Sequence, residues 1–269
     1  NELPYDDGEP LETPWHRENM NLLIELVDAR WRGRDDYYVG GNMFVYFSDL
    51  KVFNKDFRGP DFFVVKGGVD RHRERLSWIA WKEDGRLPDV VVELASESTI
   101  EIDRTTKKTL YATKLRTHEY FIFDPATDQL EGWRLNSESG YEPIRPDPAG
   151  RLWCQELKCS LGIWVGTHSS KTQRWLRMFE RDGTLCPTFF EMAEKQRGAE
   201  AAARQAAEKQ RGAETAARQA AEKQRDAEAA ARQAAESRAL AEAAARQAAE
   251  AELARLRAEL AALRPPPPS

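Results

Sequence analysis

The stretch PDVVVELAS, residues 88–96, decides how the fold is interpreted. Val90, Val91 and Val92 predict a strand that is buried on both faces, as strands in a sheet covered by helices are. Glu93 continues this apolar run, although a buried carboxylate is costly unless it is paired, hydrogen-bonded or bound to a metal. The stretch therefore predicts a central strand and marks Glu93 as a candidate site residue.

The segments around this strand predict a mixed α/β domain. Helical periodicity, runs of β-branched and aromatic residues, and turn residues follow one another along the chain. In chain order they indicate a helix (16–31), two strands (37–49 and 59–72), the central strand (88–96), a second helix (98–115), a strand (118–125) and a hairpin (130–144). Smaller strands are expected after residue 150. This order favours a mixed sheet flanked by helices.

Composition divides the chain into three parts. All eight tryptophans precede residue 176, whereas residues 194–263 contain no aromatic side chain. We predict a globular domain over residues 1–190, a charged, alanine-rich helical repeat over 194–263 and a proline-rich, disordered end over 264–269. Residues 1–193 carry 26 Lys/Arg and 33 Asp/Glu, a net charge of −7. A globular domain with a net negative charge does not attract nucleic acid in general, so any nucleic-acid site must be local.

The repeat consists of five units of 14 residues, which is two heptads each. Its charges alternate in sign at steps of three and four, a spacing that stabilises an isolated helix. Near its end, leucines follow a 3-4-3 spacing at Leu253, Leu256, Leu260 and Leu263. Two interpretations stay open: a solvated, self-stabilised helix, or a coiled coil that forms a homo-oligomer through the leucine end.

Acidic residues at strand starts form the candidate metal site. Asp89 and Glu93 lie about 13 Å apart along one strand and cannot share an ion. Asp61 opens the preceding strand, and strand pairing can bring it to Glu93. Two carboxylates suit a hard cation such as Mg²⁺. Lys107 and Lys108, on the following helix, can reach the same face. A buried Glu93 paired with either lysine and no metal is the competing interpretation.

Five segments carry a resemblance to a known family. In order and spacing they look like the successive motifs of the Uma-two endonucleases, restriction-endonuclease-like members of the PD-(D/E)XK nuclease superfamily. The segments are GPDFFVV (59–65), PDVVVELASEST (88–99), DRTTKKTLYA (103–112), HEYFIFDP (118–125) and LEGWRL (130–135). The resemblance covers about residues 15–190. It implies a restriction-endonuclease-like sheet and Mg²⁺-dependent, or Mn²⁺-dependent, hydrolysis of DNA.

The resemblance also implies roles for particular residues. Asp61 and Glu93 take the places of the metal-binding acids. The superfamily's lysine, two positions after the second acid, is replaced by Ala95, and the Uma-two form places a lysine on the following helix, here Lys107 with Lys108 as the fallback. Glu18 and Glu25 are weaker candidates for an additional acid, and Asp103 is either a residue that supports the site or a charge at the N-terminal end of the helix. Tyr111 and Tyr120 are interpreted as packing residues and Asp124 as a turn residue.

Two functions are therefore expected as alternatives. The first is a metal-dependent endodeoxyribonuclease, and the second is a nuclease-fold scaffold with weak or no catalysis that assembles through its C-terminal helix. No run approaches the roughly 20 apolar residues of a membrane span. Three cysteines without a paired motif favour a reducing, cytoplasmic setting. The cysteines and histidines lack the spacing of a zinc site.

Overall fold

A computed structural model describes residues 13–48, 57–138 and 140–262, with side chains described up to residue 260. The predicted disordered end, residues 264–269, and Leu263 lie outside the described residues. The chain divides into two compact units, Asn1–Lys195 and Gln196–Ser269.

A six-stranded mixed sheet forms the centre of the first unit. Its strand order is β1-β4-β6-β7-β8-β9. β6 pairs antiparallel with β4 and parallel with β7, so the predicted mixed α/β class is confirmed. The strands are β1 (Tyr37–Gly40), β4 (Phe62–Lys66), β6 (Val90–Leu94), β7 (Glu119–Asp124), β8 (Gln129–Asn136) and β9 (Gly140–Pro143).

Helices cover both faces of this sheet, which explains the apolar run in β6. Helix α1 (Pro14–Arg30) contributes Leu22, Leu23 and Leu26 to the core that contains Val90 and Val92. A second helical segment, α2 (residues 100–115), packs with Tyr111 and Leu115 against the core that contains Val91 and Ala95. Because side chains alternate along a strand, Glu93 points to the α2 face.

Two three-stranded sheets complete the first unit. One has the order β10-β11-β12 and the other β3-β2-β5. A short 3₁₀ turn, Ala80–Lys82, follows β5. The strands are β2 (Val45–Tyr46), β3 (Phe57–Arg58), β5 (Trp78–Ile79), β10 (Leu152–Cys154), β11 (Cys159–His168) and β12 (Lys171–Phe179).

The last helix, α3 (Phe189–Ala262), contains 74 residues. Thr188 and Glu191 form a reciprocal capping box at its start: the Glu191 N–H donates to Thr188 Oγ1, and the Thr188 N–H donates to Glu191 Oε2. The fully buried Arg177 of β12 donates to both carboxylate oxygens of Glu191. These contacts fix the first turn of α3 within the first unit. Among the described helices, none combines the length and apolar character that a bilayer crossing requires.

Candidate active site

Strand pairing brings Asp61 and Glu93 together. Phe62 is the register partner of Val92, so Asp61, one residue before β4, lies beside Glu93. Asp61 Oδ2 accepts a hydrogen bond of 2.7 Å from the Leu94 N–H, and its carboxyl group interacts directly with that of Glu93. Antiparallel pairing of the two strands thus assembles two carboxylates that lie 32 positions apart in the sequence.

Helix α2 supplies Lys107 through an irregular backbone. α-Helical turns at Ile100–Ile102 and Lys108–Leu110 alternate with π-helical turns at Asp103–Lys107 and Tyr111–Leu115. A π turn, closed by i→i+5 bonds, holds more residues than the 3.6 of an α turn. Residues four apart therefore line up, and one face of α2 presents Asp103, Lys107 and Tyr111 to the sheet.

The Lys107 ammonium lies between two buried carboxylates. Its Nζ is 3.1 Å from Glu93 Oε2 and 2.7 Å from Asp103 Oδ1. Both carboxylate side chains are 1% exposed and the lysine side chain is 21% exposed. Glu93 Oε2 and Asp103 Oδ1 have no partner with hydrogen-bond geometry. The single ammonium therefore compensates part of the negative charge of two buried carboxylates.

Two tyrosines support this arrangement. The Tyr111 hydroxyl donates to Glu93 Oε1 over 2.9 Å, and the Tyr120 hydroxyl donates to the Asp103 carbonyl over 3.0 Å. Both rings are fully buried and lie 5.0 Å apart between centroids. The interpretation of these tyrosines as packing residues is therefore incomplete, because the Tyr111 hydroxyl fixes the orientation of the Glu93 carboxylate.

Burial dominates the electrostatics of the site. It raises the pKa of Glu93 to about 8 and that of Asp61 to about 6, and the charge of Asp103 adds to both shifts while Lys107 opposes them. Burial alone lowers the pKa of Lys107, but the charges of Glu93 and Asp103 outweigh it and raise that pKa. Three carboxyl groups facing one ammonium favour either an added proton or an added cation.

The family assignment rests on a match over most of the first unit. The family model Uma2, described as "Putative restriction endonuclease", matches residues 2–166. The chain belongs to the Uma2 family. The resemblance predicted from the sequence is thereby confirmed, and the family description is that of an endonuclease.

A separate comparison with curated proteins found no match to the chain. The chain is similar to the solved structure of "a putative nuclease belonging to DUF820" from Anabaena variabilis ATCC 29413. The two sequences are 15% identical, and the TM-score is 0.40. The match covers 57% of this chain and 81% of the other.

Other candidate residues of this Uma2 protein lie elsewhere. The Lys108 ammonium sits 4.0 Å from the centre of the Trp133 ring, so Lys107 rather than Lys108 contacts Glu93. Glu18 pairs with Lys171, and Glu25 accepts from the Phe189 N–H. The structure does not bring these two glutamates to Asp61 and Glu93.

Asp124 behaves as the turn residue that the sequence indicates. Its two carboxylate oxygens accept from the Ala126 N–H and the Thr127 hydroxyl.

A second carboxylate group occupies the opposite end of β6. Asp89 Oδ1 and Glu156 Oε1 lie 3.4 and 3.3 Å from His118 Nδ1. Within residues 13–48, 57–138 and 140–262 this trio is the one group of three such ligands close enough to share an ion. Lys66 already supplies a cation there, because its ammonium pairs with Glu156 and its N–H donates to Asp89. Sequence spacing gave no sign of this group, since its members come from three separate elements.

Proposed function

We propose that residues 1–190 form a metal-dependent endonuclease that hydrolyses phosphodiester bonds in DNA, with Asp61 and Glu93 binding Mg²⁺ and Lys107 assisting. The observation that carries the proposal is the convergence of these three side chains, from the residue before β4, from β6 and from α2, within a chain of the Uma2 family. Mn²⁺ has the same preference for oxygen ligands and is the expected substitute.

The donor set suits a hard dication. Carboxylate oxygens are the ligands that Mg²⁺ prefers, and Glu93 Oε2 is a buried oxygen that faces the Lys107 ammonium at 3.1 Å without hydrogen-bond geometry. Burial raises the pKa values of Asp61 and Glu93, the negative charge of Asp103 adds to both shifts, and Lys107 only partly opposes them. When bound, Mg²⁺ polarises a phosphoryl oxygen and stabilises the charge that develops during hydrolysis.

Lys107 is suited to stabilising negative charge rather than to abstracting a proton. An ammonium with an elevated pKa stays charged at neutral pH, so it can donate hydrogen bonds to a phosphate oxygen or hold an attacking water. Asp103 holds the ammonium in place at 2.7 Å. Tyr111 donates to one oxygen of Glu93 and leaves the other directed at Lys107. In this proposal Asp103 and Tyr111 are positioning residues.

The test is cleavage of supercoiled plasmid DNA with Mg²⁺ by the full-length protein. Asp61→Asn is expected to lower the rate at least about 100-fold, because removing a ligand that acts on the transition-state charge costs several kcal/mol. Asp89→Asn is the matched control: it changes an acid at the other end of β6 and should keep activity within about threefold. Equal cleavage by the wild type and Asp61→Asn would refute the proposal. A parallel assay with RNA tests the choice of DNA.

The scaffold alternative has its own support. Glu93 is fully buried, the Lys107 ammonium occupies the space beside it, and Ala95 stands where the superfamily has its lysine. A scaffold would show no metal-dependent cleavage above that of Glu93→Gln with Mg²⁺ or Mn²⁺, while self-association through residues 194–263 would persist. The three cysteines are free and buried, which agrees with the proposed cytoplasmic location.

A further inference from the structure

Exposed leucines form a stripe near the end of α3. Leu253, Leu256 and Leu260 are 50%, 54% and 67% exposed, and the sequence continues their spacing to Leu263. Steps of three and four residues place these side chains on one side of a helix. The rest of the repeat consists mainly of alanine, glutamine and charged residues, with Leu240 as its one other leucine, so this stripe is a local change in the character of the helix.

We propose that residues 249–262, the end of α3, pair with the same segment of a second copy of this chain as a parallel, two-stranded coiled coil. The proposal does not depend on nuclease activity. Leu253 and Leu260 then occupy a positions, and Ala249 and Leu256 occupy d positions of two heptads. These a and d positions form the apolar seam of the pair. The seam ends upstream, where the preceding a and d positions are Arg246 and Glu242.

Charges beside the seam determine the orientation. Glu252 and Glu259 occupy g positions, and Arg257 occupies an e position. In a parallel pair, each g residue faces the e residue five positions later on the other helix, so Glu252 meets the partner's Arg257. An antiparallel pair would instead place g residues beside g residues and e residues beside e residues. Glutamate would then face glutamate and arginine would face arginine, and this repulsion disfavours the antiparallel orientation.

The existing helix favours a modest but specific association. α3 is helical over its whole described length, so pairing does not have to order the chain first. Two heptads bury few leucines, and the ion pair between Arg255 and Glu259, at 3.1 Å, competes for one of the g residues. We therefore expect a concentration-dependent dimer rather than an obligate one.

Sedimentation of the full-length chain over a range of concentrations tests the seam. The wild type should approach twice the monomer mass of 30.7 kDa. Leu256→Asn should weaken dimerisation at least about tenfold, because it places an amide at a buried d position. Leu240→Asn is the matched control, since Leu240 lies on the same helix, is 73% exposed and occupies a b position outside the seam. A wild type that stays monomeric, or equal effects of both variants, would overturn the proposal.

Disulfide trapping tests the orientation. Ala249→Cys places a thiol at a d position, where a parallel pair brings the two copies of the residue together, whereas Ala251→Cys lies at an f position on the outer side. The natural cysteines are buried and do not interfere. We expect rapid oxidation of Ala249→Cys to a linked dimer and slow linkage of Ala251→Cys. Equal linkage of both variants, or linkage of neither in a protein that sediments as a dimer, would contradict the parallel arrangement.

Discussion

Replacing Glu93 by glutamine should stabilise the metal-free protein at alkaline pH and remove its response to Mg²⁺. Glutamine has nearly the same shape, can accept the Tyr111 hydrogen bond and carries no charge. The ionised Glu93 is buried beside Asp61 and Asp103, with Lys107 as partial compensation. An uncharged side chain at this position removes repulsion that a bound proton or cation otherwise relieves.

The sign and size of this effect follow from the pKa of Glu93. Burial raises it from 4.5 to about 8 in the folded protein, so the folded state binds more protons than the unfolded state between these pH values. The stability contributed by this group therefore falls as the pH rises through that range. At about 1.4 kcal/mol per pH unit, the upper limit is about 5 kcal/mol. Because glutamine also loses the attraction to Lys107, we expect Glu93→Gln to gain about 1–3 kcal/mol at about pH 8 and almost nothing near pH 4.

The assay is denaturant unfolding of the wild type and Glu93→Gln, first with a chelator and then with saturating Mg²⁺. A ligand present at 100 times its dissociation constant stabilises the folded state by about 2.7 kcal/mol. We expect that gain in the wild type and little of it in Glu93→Gln. The reasoning is refuted if Glu93→Gln is less stable than the wild type in chelator at about pH 8, or if Mg²⁺ stabilises both equally.

Glu119→Gln is the matched control for this experiment. Glu119 is also a buried carboxylate, but it accepts hydrogen bonds from the Arg134 guanidinium and from the Gln155 and Glu156 N–H groups. Glutamine cannot satisfy that set of donors, so the change should destabilise the fold by about 1–3 kcal/mol with or without Mg²⁺.

Three further predictions concern the surrounding residues. Lys107→Met should lower DNA cleavage at least about 100-fold, whereas Lys108→Met should change it less than about threefold, as plasmid assays can measure. Tyr111→Phe should raise the Mg²⁺ concentration needed for half-maximal cleavage about 10-fold with a smaller change in maximal rate, because it frees the Glu93 carboxylate to reorient; an unchanged metal requirement would remove its positioning role. His118→Ala should cost less than about 1 kcal/mol near pH 6, because the pair is partly exposed. Glu156 raises the pKa of His118 and has its own lowered to about 2, so this cost should vanish in unfolding measurements as the pH rises through the folded-state pKa of the imidazole.

The sequence predicts much of the fold because strand and helix periods are local signals. The run Val90–Val92 identifies β6 as a strand covered on both faces, and the acids beside the apolar strands anticipate the contact between Asp61 and Glu93. Pairing of adjacent antiparallel strands is enough to bring two such residues together.

The supporting residues depend on geometry that no local pattern encodes. The π turns of α2 bring Asp103, Lys107 and Tyr111 into closer alignment than 3.6 residues per turn would give, and no local sequence pattern predicts these turns. Tyr111 has the apolar spacing of a core residue, and only its hydroxyl partner distinguishes it. The trio of Asp89, His118 and Glu156 comes from distant elements and leaves no trace in spacing.

Soaking crystals of the full-length protein in Mn²⁺ and recording anomalous diffraction tests the central claim most directly, because the measurement locates the ion without reference to activity. We expect the dominant anomalous peak between the carboxylates of Asp61 and Glu93, and we expect Glu93→Gln to lose it. A dominant peak at Asp89, His118 and Glu156, or no peak beside Glu93 in a crystal that has taken up the ion, would contradict it.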